Sequence, residues 1–272
     1  MTAVRADPVL GFYGPDTMMW RINREAVLLG CGPAALLLQI AHPSVARGVA
    51  EHSNFASDPF HRLHGTINTT MAMVFGDGPA AERAIRRLNR IHRGIRGDTY
   101  RAMDPDLLLW VQATLIVTSV AAYERWVGPL TTAKREQFWQ EARRVGVRLG
   151  IGLDVSPSDW PALEAYWDRM LAPDGPITVS STARRLAPMI VRPPFPFVPG
   201  PLMDLLTLPG FALLPARLRA DFGIPWDARR ERVAATLALA VRTWVRAMPV
   251  TLRSMPQSVS ANRRVRQAVG HT

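Results

Sequence analysis

The chain has 272 residues, 48% apolar and 20% charged, which is enough to bury a sizeable core and too apolar for a disordered chain. One cysteine, Cys31, excludes an intrachain disulfide and any all-cysteine metal site built within one chain, and it fits a reducing cytosol. The net charge of +11 is almost wholly arginine, since Lys134 is the only lysine. It suits acidic partners or membrane headgroups, but the arginines are scattered and no reading motif accompanies them, so nucleic-acid binding is not expected.

The opening residues, MTAVRADPVLGFYGPD, place no apolar run behind a basic start, so the expectation is a cytoplasmic protein without a secretion signal. Asp16 is the candidate cap of a first helix running through Trp20, Ile22 and Val27. Two apolar stretches, 26–41 and 107–122, fall short of the roughly twenty residues that span a bilayer. Both read as core helices, with a monotopic or peripheral membrane contact left open. From residue 36, Leu37, Ile40 and Ala41 share a face, and Pro43 either kinks that helix or starts another carrying Val45, Val49 and His52.

Residues 63–75 form the next predicted helix, ended by Gly76. Residues 79–95 form a basic amphipathic one, with Ile85, Leu88, Ile91 and Ile95 at spacings of three and four. Asp104-Pro105 starts a long helix through Val120, proline occupying its first turn. Helices over 134–149 and from Ser158-Asp159-Trp160-Pro161 through Tyr166 and Met170 follow. The strand signals are sparse, with a short alternation at 177–180. Prolines cluster over 186–215, and that segment, with Phe195, Phe197 and Phe211, is expected to be extended and packed. A last helix over about 226–248 carries arginines on one side and Ala, Leu and Val on the other, and the tail from Ser254, with Arg263, Arg264 and Arg266, is expected to fray. The fold class is therefore all-α, one domain over 1–272.

Of six histidines (42, 52, 61, 64, 92 and 271), five lie between 42 and 92. No glutamate has histidine three residues on, as a carboxylate-bridged di-iron bundle needs. There is no His-Glu-x-x-His, no Gly-x-Ser-x-Gly, no Walker loop and no dinucleotide fingerprint; Gly30-Cys31-Gly32 has no strand before it. Two i, i+4 pairs are more informative: His92 with Arg96 on one predicted helix, Arg62 with Thr66 on another. A neutral imidazole among apolar side chains suits an axial haem ligand, and guanidinium groups suit haem propionates. Spacing alone also permits a solvated basic face.

The runs AHPSVARGVAEHSNFASDPFHRLHGTINTTMAMVFGDG and IHRGIRGDTYRAMDPDLLLWVQATLIVTSVAAYERWVGPL closely resemble the family of rubber oxygenase, latex-clearing and MpaB-type catalytic domains, over roughly 10–185. The resemblance implies an all-α fold with globin-like packing and a haem b-dependent oxygenase. It implies His92 as the iron ligand, with Arg62, Thr66 and Arg96 around the cofactor. The chain departs from the family pattern at Gly65, where a lysine closes the iron's other face in the rubber-cleaving enzyme, and at Gly97, where a second histidine follows the ligand motif. The family's catalytic glutamate has no clear counterpart; Glu51 is the nearest in sequence, and His52 is a candidate lining of the same pocket.

Other residues carry plainer readings. His42 reads as a core histidine bonded to a backbone carbonyl. His61 and His64 flank Arg62 and are expected to face away from it. Tyr100, Asp104 and Trp110 are accounted for by capping and packing, and Met71 and Met73 by the core. The expected function is dioxygen-dependent oxidation of an apolar small molecule, lipid or isoprenoid-like, on haem b. The alternative is a non-enzymatic haem or lipid-binding protein. The sequence does not specify an oligomeric state.

Overall fold

A computed structural model describes residues 5–52, 59–192 and 199–269, with the backbone alone for 59–64 and 201. Among them the chain is all-α, with one two-stranded hairpin. α1 (Met18–Asn23) is capped by Thr17, whose hydroxyl accepts from Trp20 N, rather than by Asp16. Its first free N–H groups, of Met18 and Met19, are taken by the two carboxylate oxygens of Glu141 at 3.1 and 2.7 Å. A 3-10 turn (Ala26–Cys31) leads into α2 (Gly32–Ala41) and α3 (Pro43–His52), which meet at a 104° bend. Proline has no N–H to continue α2 and disfavours helical backbone before it, so His42 is extended.

α4 (Pro59–Phe75) and α5 (Gly78–Gly94) fold back on each other through Gly76 and Asp77, which caps α5 at Ala80 N. β1 (Arg96–Gly97) and β2 (Tyr100–Arg101) form the hairpin. α6 (Pro105–Trp126) is capped by Asp104, and α7 (Thr132–Leu149) by Thr131. α7 ends at Gly150, whose φ of +100° is a left-handed stop that favours glycine. α8 (Trp160–Leu171), α9 (Ser181–Val191), α10 (Gly200–Phe211), α11 (Ala216–Asp221), α12 (Ala228–Ala247), α13 (Val250–Arg253) and α14 (Pro256–Val269) complete the order.

α6 is central, packing against the 3-10 turn, α1, α2, α7 and α12. Among the described residues it is the one helix long and apolar enough to cross a membrane, and more than half of its apolar stretch is buried within the protein. Trp110 on α6 is fully buried, donates its indole N–H to Leu38 O at 3.2 Å and stacks on Trp167 at 5.4 Å. Burying side chains of this size contributes about 1.5–3 kcal/mol each. A second layer joins α1, α4, α5 and α14, with Trp20 edge-on to Phe75 at 5.0 Å and Met71 buried beside them.

Two expectations need correction, and the short alternation at 177–180 has a plain outcome. The proline-rich segment is not extended where it is described. Pro199 precedes α10, a proline sits in α10's first turn and Pro215 precedes α11, positions where the missing N–H costs nothing; Pro188 and Pro209 lie inside α9 and α10. Residues 177–180 are not a strand: Ile177 is fully buried, Thr178 N donates to Ala41 O, and Ser180 caps α9. As far as Val269 the C-terminal tail is not frayed. α14 packs on α4, and Arg264 donates to Val9 O and Phe75 O at 3.0 and 2.8 Å. Upstream of it Met255 N donates to Arg24 O, and Arg253 and Arg24 flank the buried carboxylate of Glu25.

Candidate functional site

His92 lies in the last turn of α5, half-buried. Among the described residues its Nδ1 is buried with no hydrogen-bond partner. Burial disfavours the charged ring and holds its pKa below the ordinary 6.5, so the imidazole is neutral near pH 7. One turn earlier on the same helix, Asn89 donates its side-chain N–H to Arg148 O at 2.9 Å, while its Oδ1 is also buried without a partner. Two unsatisfied polar atoms thus sit three residues apart on α5.

The predicted pairing of His92 and Arg96 on one helix face is not formed. α5 stops at Gly94, Ile95 is extended with φ −92° and ψ 101°, and Arg96 begins β1 with its side chain exposed. The hairpin pairs Arg96 with Arg101 and Gly97 with Tyr100.

Glu51 and His52, the last residues of α3, come to that hairpin. The Tyr100 hydroxyl donates to Glu51 Oε2 at 2.5 Å. His52 Nε2 lies 2.9 Å from Arg96 O; a carbonyl only accepts, so this nitrogen carries the proton. The His52 and Tyr100 rings meet edge-on at 6.3 Å. Burial and the adjacent Glu51 carboxylate push the Tyr100 phenol up to about 12, which keeps it a donor. Gly97 explains the missing second histidine: a Cβ there would lie 2.5 Å from Tyr100 Cε1 and 3.2 Å from Glu51 Oε2. Gly48 is nearly as close on the other side, where a Cβ would meet Tyr100 Cε2 at 3.2 Å. The phenol ring therefore occupies the space that side chains at 48 and 97 would need.

On α4, Thr66 is exposed, and a Cβ on Gly65 would meet nothing within 4 Å. The side chains of Arg62, His61 and His64 lie outside the described residues. Their backbone places them: position 62 is fourteen residues before Gly76 and position 92 fifteen after Asp77, on helices packed along each other. At about 1.5 Å per residue, both stand at the same height above the turn.

Among the described residues His42 is not bonded to a carbonyl. Its Nδ1 accepts from Ser44 N at 3.2 Å, capping α3, and burial lowers its pKa. Asp104 caps and Trp110 packs, as expected. Sequence reasoning missed Tyr100 as the partner of Glu51, since the pair is 49 residues apart and no local pattern marks it.

The donor set can be tested against a haem. Among the described residues no three His, Cys, Asp or Glu side chains converge to hold a metal ion. A cofactor that brings its own equatorial ligands needs one neutral imidazole, and His92, with an unpaired ring nitrogen, fits that need. Exposed Arg96, four residues on, leaves a guanidinium available to a carboxylate.

Comparison with known proteins follows the same line. The family model for the ER-bound oxygenase mpaB/B'/rubber oxygenase catalytic domain matches residues 19–247. The chain is similar to an uncharacterised protein of Mycobacterium bovis and to one of Mycobacterium tuberculosis. Each is 32% identical over 233 residues, covering 80% of this chain and 89% of the relative. No solved structure matches.

Proposed function

The chain belongs to the family of MpaB and rubber-oxygenase catalytic domains, and from that premise we propose that it is a haem b-dependent oxygenase acting on an apolar, lipid- or isoprenoid-like substrate. The observation that carries the haem reading is the half-buried, neutral imidazole of His92, whose buried Nδ1 is unpaired among the described residues. His92 would be the iron ligand, Arg62 and Arg96 would pair with the propionates, and Thr66 would lie against the cofactor. Haem b, when bound, supplies an iron centre that takes and activates dioxygen.

The protein's own contribution is placement and proton control. The hairpin after α5 fixes the end of the helix that carries His92, because Glu51 and His52 fasten it to α3. Asn89 Oδ1, three residues earlier on α5 and likewise unpaired among the described residues, would serve as acceptor for an Nδ1 proton on His92 if the two side chains turned toward each other, and such a bond would set the tautomer that leaves Nε2 free to ligate. Glu51 already accepts from Tyr100, so its second oxygen is the one left to take a substrate proton.

The alternative reading is a haem or lipid carrier without turnover. The engagement of Glu51 by Tyr100 favours it, because the candidate base is partly used in structure. An absorption spectrum separates the readings stepwise. The haem-loaded protein is expected to show a Soret band that His92→Ala abolishes, and its ferrous form to bind carbon monoxide. Dioxygen uptake with an unsaturated lipid marks the oxygenase. Haem bound without uptake marks the carrier, and a Soret band unchanged in His92→Ala removes His92 as ligand.

A further inference from the structure

α12 is oriented against the usual rule for a surface helix. Its buried positions are small, Ala234, Ala238 and Val245, while Leu239 and Trp244 face out, 65% and 50% exposed. The outward stripe continues through Ala235, Ala240, Thr243 and Ala247 without a charge. α13 extends it with Val250 and Leu252, the latter 71% exposed. α10 packs directly on α12 and also turns leucines outward, Leu202, Leu205 and Leu206, at helical spacing. Contiguous apolar exposure on neighbouring helices is uncommon on a surface that meets only water.

The charge around this face is mostly positive, and its acids are engaged: Asp204 of α10 pairs with Arg192 at 2.7 Å and Asp227 caps α12. Residues 228–272 hold nine arginines and one glutamate, so they carry most of the chain's net +11. Exposed Arg229 and Arg232 stand at one end of the α12 stripe and exposed Arg246 at the other. The single glutamate, Glu231, accepts from the Trp226 indole and is turned to that partner. We infer that the outward face of α10, α12 and α13 docks on the headgroup region of an anionic lipid bilayer. Leucines and Trp244 enter the acyl boundary while the arginines at the ends of the stripe pair with lipid phosphates. α12 is 20 residues long, about 30 Å, and would lie in the plane of the interface. A second copy of the chain fits this face less well, because a two-fold pairing would set arginine ends against arginine ends.

The inference is independent of the haem reading, and its test uses no cofactor. The full chain is sedimented with vesicles of phosphatidylcholine alone and of phosphatidylcholine with phosphatidylglycerol. Binding is expected to the anionic vesicles and to weaken with salt. Arg229→Gln and Arg246→Gln should each lower the partition constant roughly fivefold. Leu239→Asp and Leu252→Asp should lower it at least as much, with unchanged thermal melting because both side chains are exposed. Three results overturn the inference: no partition onto anionic vesicles, partition indifferent to both leucine variants, or a wild-type dimer that those variants dissociate with vesicle binding intact.

Discussion

The Tyr100 hydroxyl donates to Glu51 Oε2 at 2.5 Å, across 49 residues of chain, and this bond joins the end of α3 to the hairpin that follows the His92 helix. It sits beside a second tie, His52 Nε2 to Arg96 O. Both residues named in the sequence as candidate catalytic groups are thus hydrogen-bonded to the segment that terminates α5. In the proposed reaction they would act through the position of that helix end as well as through any proton they exchange.

Removing the phenol oxygen isolates the first tie. Tyr100→Phe keeps the ring between Gly48 and Gly97 but leaves Glu51 without its donor, at a cost of about 1–2 kcal/mol in chemical denaturation. The difference should depend on pH. The folded-state phenol titrates at about 12 against an ordinary 10, so its stabilising contribution is complete below pH 10 and is lost as pH rises through 12. Wild type and Tyr100→Phe should therefore converge in stability over that window; a constant gap between them would reject the coupling.

Gly97→Ala attacks the same bond sterically. The new methyl would fall 2.5 Å from Tyr100 Cε1, so the ring must move and the bond to Glu51 must lengthen. Overpacking of this kind costs about 1–3 kcal/mol. Ultraviolet titration of the variant should show a tyrosine whose pKa has fallen back toward 10. An unaltered titration curve would mean the hairpin yields without disturbing Tyr100.

Much of the helical frame was legible because period and cap coincide locally: Asp104 and Asp159 each precede an apolar pattern and each caps a helix. The two-residue strands at 96–101 were not, since a hairpin that short has no alternation to read, and the helical spacing of His92 and Arg96 ran across it. The proline-rich segment misled because proline opposes a helix interior but favours a helix start, and only the flanking turns decide which applies. For α12 the two-sided pattern was visible, but its orientation was not. An amphipathic sequence carries no mark of which side finds a partner, and here the small residues face the core. Among the proposed site residues, His92, Glu51 and His52 were singled out through the family resemblance, whereas the bond of Tyr100 to Glu51 required the tertiary fold.

The neutral state of His92 has its own pH signature. Burial lowers its pKa below 6.5, so its contribution to stability is complete above that pH and declines as pH falls through the lower folded-state value. In the haem-free protein, the ring C2 proton followed by nuclear magnetic resonance should titrate below 6.5, assigned by its absence from His92→Ala. A titration at or above 6.5 would contradict a desolvated ring. Asn89→Ala should move this midpoint if Oδ1 is the acceptor for the imidazole, while Asn89→Asp should raise it by placing a negative charge nearby.

Gly65 gives the last test, because it separates fold from access to the cofactor. Among the described residues no atom lies within 4 Å of a methyl placed there, and it lies inside α4, where glycine is a poor helix former. Gly65→Ala should therefore stabilise the protein by about 0.5–1 kcal/mol, since no described neighbour has to move to admit the methyl. Gly65→Lys should be tolerated for the same reason and should melt no lower than wild type. If position 65 faces the cofactor's open side, as the resemblance to rubber oxygenases implies, the lysine will compete for that side and weaken carbon monoxide binding by the ferrous protein, while Gly65→Ala leaves it nearly unchanged. Equal carbon monoxide affinity in wild type and Gly65→Lys, both fully loaded with haem, would place residue 65 away from the cofactor. It would leave the His92 assignment standing on its own spectrum.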